Sequence, residues 1–264
     1  MKYIISYSGG KDSTAALLWA YEQFEPSDIV VVFCDTGWET HITYDYVAYI
    51  EGWCKDHGII FHRVVPPLQF EELVKHKKMF PFKMRRYCTE YLKIKPFYMF
   101  LAKYRETHPD YIVITGERAE ESPSRANKPE REFDGQYYHC EVWRPLKNWT
   151  AEEVFKVQIK HSVNVNPMYH MGFTRVGCAP CIYAKVSDVE MLAKHFPEQI
   201  DKVRKLEACL ESSKTVDRPM CFFEGTAKID EKVAHCSRKT AHGCIEDFLP
   251  EDSVCPAHYA ILCE

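Results

Sequence analysis

Long apolar runs are missing from this chain. None approaches the ~18–20 residues of a bilayer span, so no membrane-crossing helix is expected. Strong charge of either sign is missing too. A formal net charge of −4 gives no general attraction to nucleic acid, so any such contact must use a local patch. Residues 1–7, Met-Lys-Tyr-Ile-Ile-Ser-Tyr, are too short for an export signal, and a cytoplasmic location is the expectation. Internal repeats and low-complexity segments are also lacking, which excludes a solenoid or a chiefly disordered chain. What remains is ordinary globular composition, 46% apolar and 27% charged. At 264 residues it fits one large domain, or a domain with an appendage.

Cysteine is not scarce. Twelve are many for a chain without an export signal, and metal ligation or redox chemistry explains them better than disulfides. Cys209, Cys221, Cys236, Cys244, Cys255 and Cys263 crowd the tail, with His242 and His258 among them, in spacings that fit no standard zinc pattern.

The first half alternates strand and helix signals. Lys2 to Tyr7 and the continuous β-branched run Asp28 to Cys34 read as buried strands, followed by Ile59 to Val65 and Tyr111 to Thr115. Helices are expected at 11–24, 41–57, 69–76 and 91–106, which gives a doubly wound parallel α/β sheet. Its ligand loops should lie at the strands' carboxyl ends. Residues 119–139 read as a long polar loop or lid. Thr150 and Glu153 form a capping box for a helix to His161, and further helices are expected at 187–196 and 198–211. Beyond about 212 the chain reads as irregular.

Ser8-Gly9-Gly10-Lys11-Asp12-Ser13 follows the first strand and opens a helix. Two glycines let backbone amides approach a phosphate, the helix N-terminus adds its dipole, and Lys11 adds a cation. The Walker spacing G-x-x-x-x-G-K is absent.

This hexapeptide resembles the PP-loop of the adenine-nucleotide alpha-hydrolase superfamily, whose members cleave ATP between the α- and β-phosphates. Three later segments narrow the resemblance to the branch of phosphoadenylyl-sulfate (PAPS) reductases and their DNA-phosphorothioation relatives. They are Asp35-Thr36-Gly37-Trp38-Glu39-Thr40; Thr115-Gly116-Glu117-Arg118 through Ser122, with Arg125; and Trp143-Arg144-Pro145-Leu146 through Trp149-Thr150, on to Gly177-Cys178-Ala179-Pro180-Cys181. The resemblance spans residues 1–185. It implies a nucleotide-binding domain there and a helical, cysteine-rich extension at 186–264.

By this resemblance, Ser8 to Ser13 hold the nucleotide's phosphates, and Asp35 and Thr36 lie near the adenosine or a magnesium ion. Gly116, Arg118 and Arg125 serve the phosphate or sulfate oxygens. Lys11, Asp12 and Arg118 are the expected catalytic residues.

Iron–sulfur reductases of this branch use a C-x-x-C with an upstream Cys-Cys pair. This chain offers Cys88, followed by Lys93 and Pro96, with Cys178 and Cys181. A [4Fe–4S] cluster takes four thiolates, so Cys140, a tail cysteine or an open iron would complete it. Zinc, which also takes four thiolates, and a metal-free C-x-x-C stay open.

Lys75, Lys77, Lys78, Lys83, Arg85 and Arg86, interleaved with Phe80, Phe82 and Tyr87, suit a nucleic-acid backbone with stacked bases, or simply a solvated face. Two departures bear on the reaction. Reductases of the branch typically lack the Lys-Asp pair kept here as Lys11-Asp12. They carry a tail nucleophile in Glu-Cys-Gly-(Ile/Leu)-His, which neither Gly243-Cys244-Ile245-Glu246 nor Leu262-Cys263-Glu264 matches. The expected function is therefore ATP cleavage at the α–β bond to activate a substrate for sulfur transfer to nucleic acid, with a sulfur-donor partner. A divergent PAPS reductase is the alternative, and a nucleotide-binding regulatory or defence component is a third reading.

Overall fold

The structure, a computed structural model, describes residues 1–213, 220–223, 225 and 227–236. Cys244, Cys255, Cys263, His242, His258 and the side chain of Cys236 lie outside these described residues.

The first half runs β1 (Lys2–Tyr7), α1 (Lys11–Gln23), β2 (Ile29–Cys34), α2 (His41–Asp56), β3 (Ile60–Val64) and α3 (Phe70–Lys77). A broken helix follows: α4 (Tyr87–Thr89), a π turn (Glu90–Ile94) and α5 (Lys95–Arg105). After β4 (Tyr111–Thr115) come α6 (Pro123–Ala126), β5 (Arg131–Asp134), β6 (Cys140–Trp143), α7 (Ala151–Lys160), α8 (Val186–His195), α9 (Pro197–Ser213) and α10 (Ile229–Cys236).

The six strands order as β3-β2-β1-β4-β6-β5, with every neighbouring pair parallel except β5 and β6. β1 is central because both of its faces are apolar. Ile4 packs with Val30, Val32, Val113 and the α5 residues Phe97 and Leu101. Ile5 packs with Val31, Ile114 and the α1 residues Ala15 and Leu18 on the other face. Both isoleucines are fully buried, each contributing about 1.5–3 kcal/mol.

A third core gathers Trp38, Phe70, Leu73, Tyr87 and Tyr169 with Leu192, Phe196, Ile200 and Leu206 of α8 and α9. Glu207 of α9 ties down the segment beyond it, accepting from the amides of Phe222 (2.9 Å) and Ile229 (3.2 Å).

Two expectations are corrected. Residues 119–139 are not simply a loop: they contain α6 and the antiparallel edge strand β5. The chain beyond 212 is not wholly irregular, since α10 forms there. Cys140 also finds its place. It opens β6 and is buried among Tyr111, Val113 and Phe97, at the amino end of the parallel strands. The ligand loops lie at the opposite end, so Cys140 is no ligand partner for Cys178 and Cys181.

β1 lies between β2 and β4, so the connection direction reverses across it. In open α/β sheets the crevice outside such a reversal is where ligands bind.

Candidate functional site

The turn after β1 occupies this crevice. Gly9 holds φ +76°, and its neighbours leave little space: a Cβ would meet Val47 at 3.1 Å and Thr43 at 3.2 Å. Ser13 Oγ donates to the Gly10 carbonyl (2.9 Å) and accepts from Ser8 N (3.2 Å) and Ser8 Oγ (3.2 Å), closing the turn on itself. Distant side chains fix it from outside. Asn166 Nδ2 donates to the Gly9 carbonyl (3.0 Å), and the Tyr169 hydroxyl accepts from Lys11 N (3.0 Å). Among the described residues no hydrogen bond reaches the amides of Gly9, Gly10, Asp12 or Ser13. A helix N-terminus with unclaimed amides is an anion site.

Two cations share one carboxylate beside it. Lys11 Nζ lies 3.0 Å from Asp12 Oδ2, and Arg118 Nε lies 2.5 Å from Asp12 Oδ1. Arg118, only 4% exposed, also donates to Glu120 (2.6 Å) and the Trp149 carbonyl (3.2 Å). Burial works against the charge of Lys11, but Tyr169 and Asp12 outweigh it and raise its pKa. Gly116 makes this approach possible. A Cβ there would lie 2.4 Å from the Asp12 carbonyl oxygen.

The loop after β2 builds the other wall. Asp35 Oδ1 accepts from Gly37 N (2.9 Å) and the Tyr44 hydroxyl (2.8 Å). Thr36 is fully buried, and its hydroxyl donates to Glu39 (2.8 Å). Glu39, also buried, accepts from Trp38 N (3.2 Å), the Tyr44 hydroxyl (3.0 Å) and the Cys178 thiol (3.7 Å). Trp38 clamps this loop to the C-x-x-C loop: its Nε1 donates to the Pro180 carbonyl (3.1 Å), and its carbonyl accepts from Ala179 N (2.8 Å).

Beside Ser8, along the C-x-x-C loop, lies a cleft of about 90 Å³, lined by Ser8, Lys93, Arg175, Cys178 and Cys181 among others. That is well below the ~300 Å³ of whole-ligand pockets, so it has room for a phosphate- or sulfate-sized group. Lys93 is held charged there, chiefly by Cys178, with Glu39 adding to it. Burial pushes the Cys178 thiol up to about 12, against the pull of Lys93. Burial raises Cys88 too, and Cys181 acts electrostatically on both, so the three thiols share one neighbourhood. They suit a cluster or zinc in kind. As placed, they do not suffice: Cys178 turns to Glu39, and among the described residues no three potential ligands converge.

Residues 2–184 match the phosphoadenosine phosphosulfate reductase domain. The chain belongs to this family. It is 32% identical to the "uncharacterized 37.8 kDa protein in gpa 5'region" of Escherichia phage 186, over 77% of this chain and 74% of that protein. It is 30% identical to an adenosine 5'-phosphosulfate reductase of Rhodococcus opacus over 57% of this chain, and spans only 58% of that enzyme's length. The crystal structure of PAPS reductase from Candida auris superposes with a TM-score of 0.51 at 18% identity, covering 69% of this chain and 83% of that one, which shows a shared fold. As a member of the PAPS reductase domain family, the chain carries a nucleotide-binding PP-loop domain.

Within this PAPS reductase-like domain the structure brings Ser8 to Ser13, Gly116 and Arg118 into one assembly. Arg125, on α6, instead pairs with Glu121 in the turn before that helix. Of the aromatic residues in the basic segment, Phe80 and Tyr87 are buried: Phe80 packs against Phe222, and the Tyr87 hydroxyl donates to the Met79 carbonyl. They are not available to stack bases. Sequence reasoning assigned no role to Asn166, Tyr169, Arg175 or Glu39. Nothing in the sequence around Asn166 shows that it reaches the phosphate loop.

Proposed function

We propose that this protein binds ATP at Ser8–Ser13 and cleaves it between the α- and β-phosphates, activating an acceptor for sulfur transfer. The observation that carries the reading is the cation pair Lys11 and Arg118, fixed on opposite oxygens of Asp12 beside four unclaimed amides. Negative charge developing on the transferred group needs donors already in place, because preorganised groups cost no rearrangement during reaction. Asp12 is then a positioning residue for both cations. An acceptor oxygen attacks the α-phosphorus, the bond to the bridging oxygen breaks, and pyrophosphate leaves with the electron pair. A sulfur nucleophile from a donor can subsequently displace AMP from the adenylated acceptor.

Magnesium, if bound, would supply charge neutralisation to the phosphates. Asp35 is the carboxylate that would hold it, since Oδ2 takes no hydrogen bond among the described residues. Cys88, Cys178 and Cys181 are the residues that would hold an iron–sulfur cluster or zinc. No step is assigned to such a centre, because the donors do not converge.

A divergent sulfonucleotide reductase is the second reading, favoured by the family match and by the reductase of Rhodococcus opacus. Product analysis with ATP and with PAPS on anaerobically prepared protein separates the two. Pyrophosphate from ATP supports cleavage. Thioredoxin-dependent sulfite from PAPS, without pyrophosphate from ATP, overturns it. Binding of nucleotide with neither product favours a regulatory role.

A further inference from the structure

A second cavity, of about 480 Å³, opens between the π turn with α5 on one side and the β5–β6 turn on the other. Its size falls within the ~300–1,000 Å³ of ligand sites. Arg86, Lys95, Tyr98, Tyr137 and His139 are in its walls. None of them belongs to the phosphate-loop network. Tyr98 and Tyr137, which both line the cavity, keep 39% and 38% of their surface exposed. His139 holds φ +50°, a region non-glycine residues rarely occupy, and its ring lies 5.9 Å from that of Tyr98.

Arg86 connects this cavity to the thiols. Its guanidinium lies over the Tyr183 ring at 5.1 Å, and Tyr183 N donates to Cys181 Sγ at 3.5 Å. Within the lining Lys95 is neutralised by Glu90 (2.6 Å), which leaves Arg86 exposed and without an ion pair among the described residues; Lys83 and Arg85, likewise exposed and without an ion pair there, precede it in sequence but do not line the cavity.

We propose that this groove binds single-stranded nucleic acid, with bases stacked on Tyr98 and Tyr137 and the backbone led by Arg86 towards Cys181. Two partly exposed rings beside an arginine without an ion pair among the described residues are the kind of combination that sequence-tolerant strand binding uses. An acidic protein surface would use the cations and leave the rings idle. The groove rests on the proposed function only in making the strand the acceptor.

The test is fluorescence anisotropy of the full chain, without ATP, on labelled mixed-sequence DNA and RNA strands of about 20 nucleotides, longer than the ~4–16 of a single site. Tyr98→Ala and Tyr137→Ala should each weaken binding about 5- to 160-fold, the range of base stacking on one ring. Tyr98→Phe should retain it. Arg86→Gln should lower the slope of log affinity against log salt by about 0.7. Melting temperature and affinity for a fluorescent ATP analogue should stay unchanged in all four. The proposal is overturned if neither strand binds, or if only Arg86→Gln has an effect, as an acidic protein partner would predict. Pyrophosphate release is scored separately. Its absence with strand binding intact would count against ATP cleavage and leave the groove standing.

Discussion

Gly116→Ala is the sharpest probe of how the site is assembled. The backbone of Gly116 is not in the left-handed region, so alanine adopts it without strain and only the new methyl matters. That methyl would sit 2.4 Å from the Asp12 carbonyl oxygen, 2.6 Å from its carbon and 2.9 Å from Ser13 N. These are backbone atoms and cannot rotate away. Ordinary contact begins near 3.4 Å, so β4 and the start of α1 must separate by about 1 Å. Overpacking of this kind costs about 1–3 kcal/mol, and a 1 Å misplacement of catalytic groups costs roughly a hundredfold in rate. We expect nucleotide affinity and pyrophosphate release to fall together, while melting temperature drops by about 2–12 °C. Calorimetric titration with ATP and a thermal melt on one preparation suffice. Wild-type affinity and turnover in Gly116→Ala would refute the claim that β4 sets the position of the phosphate loop.

Asp12→Asn should uncouple Lys11 from Arg118, costing about 3 kcal/mol for a buried guanidinium left with fewer partners; a melt within 1 °C of wild type, on a scale of ~2–4 °C per kcal/mol, would argue against the shared anchor. Glu117 receives hydrogen bonds from Lys128 (2.9 Å) and Arg144 (2.7 Å), which outweigh its burial and hold its pKa below the usual range. A depressed carboxylate contributes stability above its unfolded pKa and loses it as pH falls through the folded value. The urea midpoint should therefore decline below about pH 4, and Glu117→Gln should decline less steeply; identical profiles would exclude this lock. Trp38→Phe keeps the ring stacked on Phe70 (4.5 Å) but leaves the Pro180 carbonyl without its indole donor. Hydrogen exchange across residues 177–181 should quicken, and unchanged protection would show that the clamp does not hold the C-x-x-C loop.

Much of the scaffold was legible because its signals are local. The run from Ile29 to Cys34 is buried along nearly its whole length, as a continuous β-branched segment should be. Tyr111 to Thr115 is a strand with the expected limits, and Thr150 and Glu153 do cap α7. β5 escaped because Arg-Glu-Phe-Asp alternates charge on an edge and looks like loop. The site was legible only in part. Lys11 beside Asp12 is visible in one dimension, but Arg118 joins them across 106 positions, and only the family resemblance pointed to it. Tyr169 meets Lys11 across 158 positions with no motif around it. The basic segment misled because composition does not say which way a ring faces, and the third core took Phe80 and Tyr87 inward.

That reach of Asn166 and Tyr169 back to the phosphate loop has a consequence in time. β1 and its turn are synthesised well before the side chains that brace them, since the hydrogen bonds that steady Gly9 and Lys11 come from residues made after β2, β4 and α7. Contacts so far apart in sequence form late, after the loop-closure entropy between them has been overcome. The emerging chain therefore owns every residue of the nucleotide loop long before it owns a finished loop. ATP should recognise only chains whose later half has docked, which makes nucleotide binding a report on completed folding.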